Sequence, residues 1–100
     1  MGFTKDDGGK IQPSLVPPRQ LFNVTKVFTM GAVKYEPRNY QQCKEPERYY
    51  NAFMRHMLAW QLGEDLDPES GLPHLAHATT NLMILAEVME QDGIVDFRKE

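Results

Sequence analysis

The 100-residue chain is short of the residues that staple, bridge or anchor a protein. Cys43 is its single cysteine, so an internal disulfide and a cysteine cage for a metal are both excluded. A reducing compartment suits such a chain. No apolar run approaches the roughly 20 residues that a membrane-spanning helix requires. The opening residues are polar and glycine-rich and lack the pattern of a secretory signal. Excess charge is also scarce: 14 acidic residues against 11 basic ones leave a formal net charge of −3, without a block of like charges. A sequence-independent nucleic-acid binder needs a basic stripe, and none is present. A small anionic ligand held by a few local cations stays open. The expectation is a soluble cytoplasmic protein with no membrane or nucleic-acid partner.

What is there has the ordinary composition of a globular protein, with no internal repeat and no low-complexity tract. This length suits one domain. A domain so small buries a modest core, and oligomerisation is a common remedy. Residues 1–17, with Gly8-Gly9, Pro13 and Pro17, read as an extended arm. Pro18 can open a helix, because proline is tolerated at the first helical position. Leu21, Val24 and Phe28 recur at helical spacing, widened by Phe22, Val27 and Met30. This helix stops at Gly31 or runs on to about Lys34.

Residues 35–46 hold Pro37, Asn39 and Pro46 without a period and read as a loop. A second helix is expected over about 47–62, with Tyr50, Phe53, Met57 and Trp60 on its apolar face and Gly63 as its stop. An acidic turn follows at 64–71. A third helix is expected over about 72–91, apolar around much of its circumference and therefore buried. From residue 92 onward the chain reads as a loose tail. The fold class is all-α: a small bundle built on an αα-hairpin, with one N-terminal helix packed against it. Residues 18–91 form the helical domain, and apolar surface left over predicts a dimer or tetramer.

Four groups of residues can carry chemistry. His74, His77 and Asn81 share one helix face, which continues with Leu85 and Val88 and so points inward. Buried polar groups need partners, so this stripe is an internal hydrogen-bonded network, a subunit interface or a ligand site. On the second helix, Arg55 and His56 lie near the hairpin end, where His56 and Trp60 can approach His74 and His77. Arg55 suits a phosphate, because its planar fork donates in pairs; a solvent-facing cation beside Glu47 is the alternative. In the turn, Glu64, Asp67 and Glu69 offer the oxygen ligands that Mg²⁺ prefers. Asp67 and Glu69 equally suit the positive end of the helix that follows. Finally, Lys10, Lys34, Tyr35, Arg38, Asn39 and Tyr40 mix cations for phosphate with rings for base stacking, though ordinary loops carry such clusters too.

Several of these segments fall in one longer pattern. Residues 55–64 read Arg-His-Met-Leu-Ala-Trp-Gln-Leu-Gly-Glu and run into Asp67-Pro-Glu-Ser-Gly71, then Leu72-Pro-His-Leu-Ala-His-Ala78 and Asn81. The pattern resembles the phage dATP/dGTP diphosphohydrolase N-terminal domain family, seen in MazZ-type proteins. Gly31-Ala-Val-Lys-Tyr35, and Gly9-Lys10 ahead of Ser14-Leu15-Val16-Pro17, are similar to it as well. The resemblance spans about residues 8–90. It implies a phage nucleotide-metabolism protein that hydrolyses a purine deoxynucleoside triphosphate to monophosphate and pyrophosphate, acting in the host cytoplasm. Related MazG-type pyrophosphohydrolases are all-α, oligomeric and Mg²⁺-dependent, with a Glu-Glu-x-x-Glu helix facing a Glu-x-x-Asp helix.

Here the sequence departs from the relatives. Arg55 and His56 stand on the second helix, and His74 and His77 on the third, where acids are the rule. If the chain hydrolyses, the resemblance leaves Glu64, Asp67 and Glu69 to hold Mg²⁺ or Mn²⁺, with Glu64, Asp67 and His77 catalytic. His74 or His77 then serves as base or phosphate contact. Lys10, Lys34, Tyr35, Arg38, Asn39, Arg55, His56, Trp60, His74 and Asn81 are the expected substrate contacts. Two other functions stay in view: a nucleotide binder or sponge without turnover, and an interaction module that inhibits a host enzyme.

Overall fold

Proline opens or precedes each of the three α-helices. The computed structural model describes residues 2–99, and its main elements are α1 (Pro18–Lys34), α2 (Glu47–Gln61) and α3 (His74–Met89). Pro18 is the first residue of α1, while Pro46 and Pro73 stand immediately before α2 and α3. Proline costs nothing there, because the first amides of a helix have no partner within it. Single 3-10 turns at Pro13–Leu15, Asn39–Gln42 and Phe97–Lys99 interrupt the arm, the α1–α2 loop and the tail.

Helix α2 ends in a Schellman motif. The Glu64 amide donates to the Ala59 carbonyl and the Gly63 amide to the Trp60 carbonyl, and Gly63 takes φ +103. Only glycine enters that left-handed region without strain. The next ten residues fold back tightly. Asp67 donates its amide to Leu72, and Gly71, at φ +74, donates to Asp67. One antiparallel bridge joins Leu66 to Pro73, and the His74 amide donates to the Asp65 carbonyl at 2.9 Å. The acidic turn is thereby tied to the first residue of α3, and α3 runs back along α2.

Helix α3 is the middle element and packs on both α2 and α1. Its buried residues are His74, Ala76, His77, Ala78, Thr80 and Val88. Small side chains let the neighbouring helices approach, and Thr80 satisfies its hydroxyl on the Ala76 carbonyl. The burial expected from a helix apolar around much of its circumference is only partly found: Leu75, Leu82 and Met83 are 42–49% exposed. Two neighbours cover two sides of a helix, and the third side stays open. In α1 the buried pair is Val24 and Val27, while Leu21 of the expected stripe is outside. No helix among the described residues is long and apolar enough to cross a membrane.

Candidate functional site

The hairpin delivers three histidines to one place. His56 lies on the last turns of α2, and His74 and His77 lie on the first turn of α3. The His56 and His77 rings stack with centroids 4.5 Å apart and planes 9° from parallel. Nδ1 of His56 is 2.9 Å from Nδ1 of His74. On its far side, His74 places Nε2 at 2.7 Å from Glu64 Oε1. A carboxylate accepts only, so His74 Nε2 carries the proton. In the tautomer with this proton on Nε2, His74 accepts at Nδ1 and His56 Nδ1 is the donor. One line runs from Glu64 through His74 to His56.

A second line starts from the turn. His77 Nε2 is 2.7 Å from Ser70 Oγ and 3.6 Å from Asp67 Oδ2. Ser70 also accepts the Leu72 amide at Oγ and donates its own amide to Asp67 Oδ2. This is not a serine-hydrolase triad. There the carboxylate holds the ring nitrogen opposite the serine, whereas here hydroxyl and carboxylate face the same nitrogen.

Protonation follows from burial and neighbours. Burial lowers the pKa of His56, and the adjacent His77 and His74 lower it further against the pull of Asp67. Burial lowers His77 as well, again against Asp67. Both rings are therefore neutral at pH 7, and the His77–Asp67 contact is not a full ion pair. Burial pushes Asp67 up, yet its two Ser70 hydrogen bonds and the histidines bring it below the ordinary carboxylate value. Because His77 is neutral, Ser70 does more of this than the imidazole.

These groups form one wall of a cleft of about 1100 Å³ between the α1–α2 loop and the hairpin. The lining also includes Lys34, Tyr35, Arg38 and Asn39 from the end of α1 and the loop, and Arg55 from α2. The left-handed backbone of Arg38, φ 59, starts the short turn that brings Tyr40 onto Phe28 edge-on. Lys34 reaches across to Glu69 at 3.5 Å.

Most of the residues singled out from sequence thus meet in one cleft. Asn81 lines it too, but spends its amide on the His77 carbonyl. Glu64 stands behind His74 rather than in the lining. Lys10 sits in an exposed turn of the arm, its amide donating to Asp7, and Trp60 is 41% exposed. Neither lines the cleft. Sequence reasoning missed Ser70 as a site residue, and it joins Asp67, His77 and Leu72. Its signal was position: a serine three residues after an aspartate is a common turn device. Lys44, which adds a cation to the lining, was also missed, while Arg48, on the same face of α2 as Arg55, lines the cleft too.

The structure gives the three turn carboxylates three different partners: Glu64 meets His74, Asp67 meets Ser70 and His77, and Glu69 meets Lys34. The metal-ligating atoms that converge are one each from His56, Asp67 and His74, all within 4.8 Å of one another. Mg²⁺ prefers an all-oxygen shell, and two imidazoles with one carboxylate do not provide it.

The family described as dATP/dGTP diphosphohydrolase, N-terminal, matches residues 3–98. A dATP/dGTP diphosphohydrolase of Salmonella phage PMBT28 is 37% identical over 95 residues, covering 95% of this chain and 32% of the relative. The chain thus spans about a third of that relative's length. No solved structure matches the chain. On the extent of the family match, which takes in all three helices, the turn and the whole cleft, the chain belongs to the dATP/dGTP diphosphohydrolase N-terminal family.

Proposed function

We propose that the cleft binds a purine deoxynucleoside triphosphate, of the dATP or dGTP kind, and hydrolyses it to monophosphate and pyrophosphate. The observation that carries this reading is the pairing of a cationic lining with neutral histidines backed by carboxylates, in a chain related to a phage dATP/dGTP diphosphohydrolase. Arg55, Arg38 and Lys34 hold the phosphates, where a guanidinium fork matches two oxygens at once. Tyr35 and Tyr40 offer ring faces to the base. Water attacks the α-phosphorus, the bond to the bridging oxygen breaks, and pyrophosphate leaves. His77, held neutral, takes the proton. Mg²⁺, which prefers an all-oxygen shell, does not suit the converging His56, His74 and Asp67 side chains. The open side of α3, with Leu75, Leu82 and Met83, supports self-association.

A second reading has one observation in its favour: the relative is about three times as long as this chain, so the cleft can serve as a nucleotide-binding site without turnover. One experiment separates the two. The protein is incubated with each dNTP and GTP in the presence of Mg²⁺ or Mn²⁺, and products are resolved by ion exchange alongside calorimetric binding. Monophosphate and pyrophosphate from dATP or dGTP support hydrolysis. Binding without product supports the second reading. Neither binding nor product overturns both.

A further inference from the structure

Two of the histidines and Asp67 hold atoms that proton transfer alone does not require to be so close. We propose that His56, His74 and Asp67 form a binding site for a first-row divalent transition ion such as Zn²⁺, Co²⁺ or Mn²⁺, in preference to Mg²⁺. The inference goes beyond nucleotide hydrolysis and does not depend on it.

The donor set comes first. Imidazole nitrogens suit borderline transition ions, and two histidines with one carboxylate are a recurrent set for ions that keep positions open for other ligands. Geometry comes second. The Nδ1 atoms of His56 and His74 are 2.9 Å apart. With metal–nitrogen bonds of about 2.1 Å, that separation subtends about 90° at the ion, a cis pair of a six-coordinate centre. Each ring has to turn so that its lone pair meets the ion instead of the other ring, and His56 moves its proton from Nδ1 to Nε2.

The surroundings supply the rest. His74 Nε2 donates to Glu64 at 2.7 Å, which fixes the tautomer with Nδ1 bare. A carboxylate behind a ligating histidine is the usual support of such a ligand. The stacked His77 ring sets the plane of His56, and the Ser70 amide holds Asp67 Oδ2. His74 is buried, so the ion has one shielded flank. The cleft supplies an open one, facing Arg55 and the other cations. The three ligands come from α2, the turn and the start of α3, so an ion would also clip the hairpin shut. Ligands that bind only the native state raise its stability.

The test uses the whole protein, stripped with a chelator and titrated with Co²⁺, Zn²⁺ or Mg²⁺ alone. Absorption is followed for Co²⁺, and calorimetry and thermal unfolding for all three. The expected result is uptake of one Co²⁺ per chain with the visible bands of a mixed nitrogen and oxygen shell, displacement by Zn²⁺, and a raised Tm. Mg²⁺ should bind at least about 100-fold more weakly. His56→Gln, His74→Gln and Asp67→Asn should each weaken Co²⁺ by about tenfold or more, and Glu64→Gln by about 10–100-fold. Glu69→Gln should leave Co²⁺ affinity unchanged.

No uptake of Co²⁺ or Zn²⁺ overturns the proposal. So does Mg²⁺ binding of equal strength, or a loss confined to Glu69→Gln. His56 is only half-buried and tolerates replacement best, so its variant carries the test if His74→Gln fails to fold by circular dichroism. Because the metal alone is the probe, failure of hydrolysis leaves this result intact, and failure here leaves hydrolysis to be judged by its products.

Discussion

The two ends of the α2–α3 hairpin use the same pair of helices for opposite purposes. At the turn end, the residues buried between the helices are His74 and His77, each satisfied by a named partner. At the other end, Val88 is fully buried and Tyr50 packs on Phe53 and Phe97 at centroid distances of 6.4 and 5.7 Å. Apolar burial stabilises without regard to direction. A buried imidazole stabilises only if its partners stay in place, because an unmatched polar group in the interior is costly. One end therefore holds the hairpin together, and the other holds chemistry that the first end must support.

The largest test of that division is Val88→Asp. It places an unpaired carboxylate in the apolar end and should cost about 4 kcal/mol or more, which urea unfolding followed by circular dichroism would measure. A stable folded variant would show that the apolar end is not what holds the hairpin. Arg55→Ala belongs to the chemical end. Losing a charged hydrogen-bond donor costs about 1.5–3 kcal/mol, so nucleotide affinity by calorimetry should fall at least about tenfold while the fold persists. Unchanged affinity would remove Arg55 from the site.

Gly63→Ala probes the joint between α2 and the turn. At φ +103 an alanine should cost about 1 kcal/mol, read as a lowered urea midpoint. A neutral effect would show that the turn can move, and the histidine geometry with it.

The dependence of stability on pH is a gentler probe of the turn end. His56, facing His74, His77, Asp67 and Arg55, and His77, facing Asp67, His74 and Glu69, both have pKa values below the ordinary 6.5. Between those lowered values and 6.5, the unfolded chain binds protons that the folded chain refuses. Stability from keeping these rings neutral is thus complete above about 6.5 and declines as pH falls towards the folded values. The Tm of metal-free protein should drop across that window. The drop should shrink in His77→Gln, and a flat profile would show that burial does not control these rings. Lys34→Met is the smallest change. It removes an exposed pair with Glu69, and surface pairs of this kind contribute little, so the melting curve should not move.

The helices were legible because their signals are local. The stripe Val24–Val27–Phe28, the start after Pro46, the stop at Gly63, and the acidic turn between two periodic segments all lie within a few residues of what they control. Their limits were close to those found, except at α3, where Pro73 delays the start to His74. The inward stripe of His74 and His77 was legible for the same reason, since spacing alone says which residues share a face. Burial of α3 was not. Leu75, Leu82 and Met83 are as apolar as the residues inside, and only the number of neighbouring helices leaves them out.

Site residues divide in the same way. Residue types and their clustering pointed to the cations, the histidines and the acids, and most of them line one cleft. The pairings were decided elsewhere. Glu64 could have turned to solvent, to a metal with Asp67 and Glu69, or to His74, and nothing in the spacing of 64, 67 and 69 selects among these. The selection comes from Gly63 and Gly71 in left-handed conformations, the Leu66–Pro73 bridge and the bond from His74 to the Asp65 carbonyl, which fold the turn back onto α3. By itself, the sequence determined three helices, their ends and the set of polar groups available, because helix formation and capping are settled within a turn or two of chain. Only the tertiary structure decided which carboxylate meets which histidine, because a contact of 2.7 Å between residues ten apart depends on how the whole turn closes.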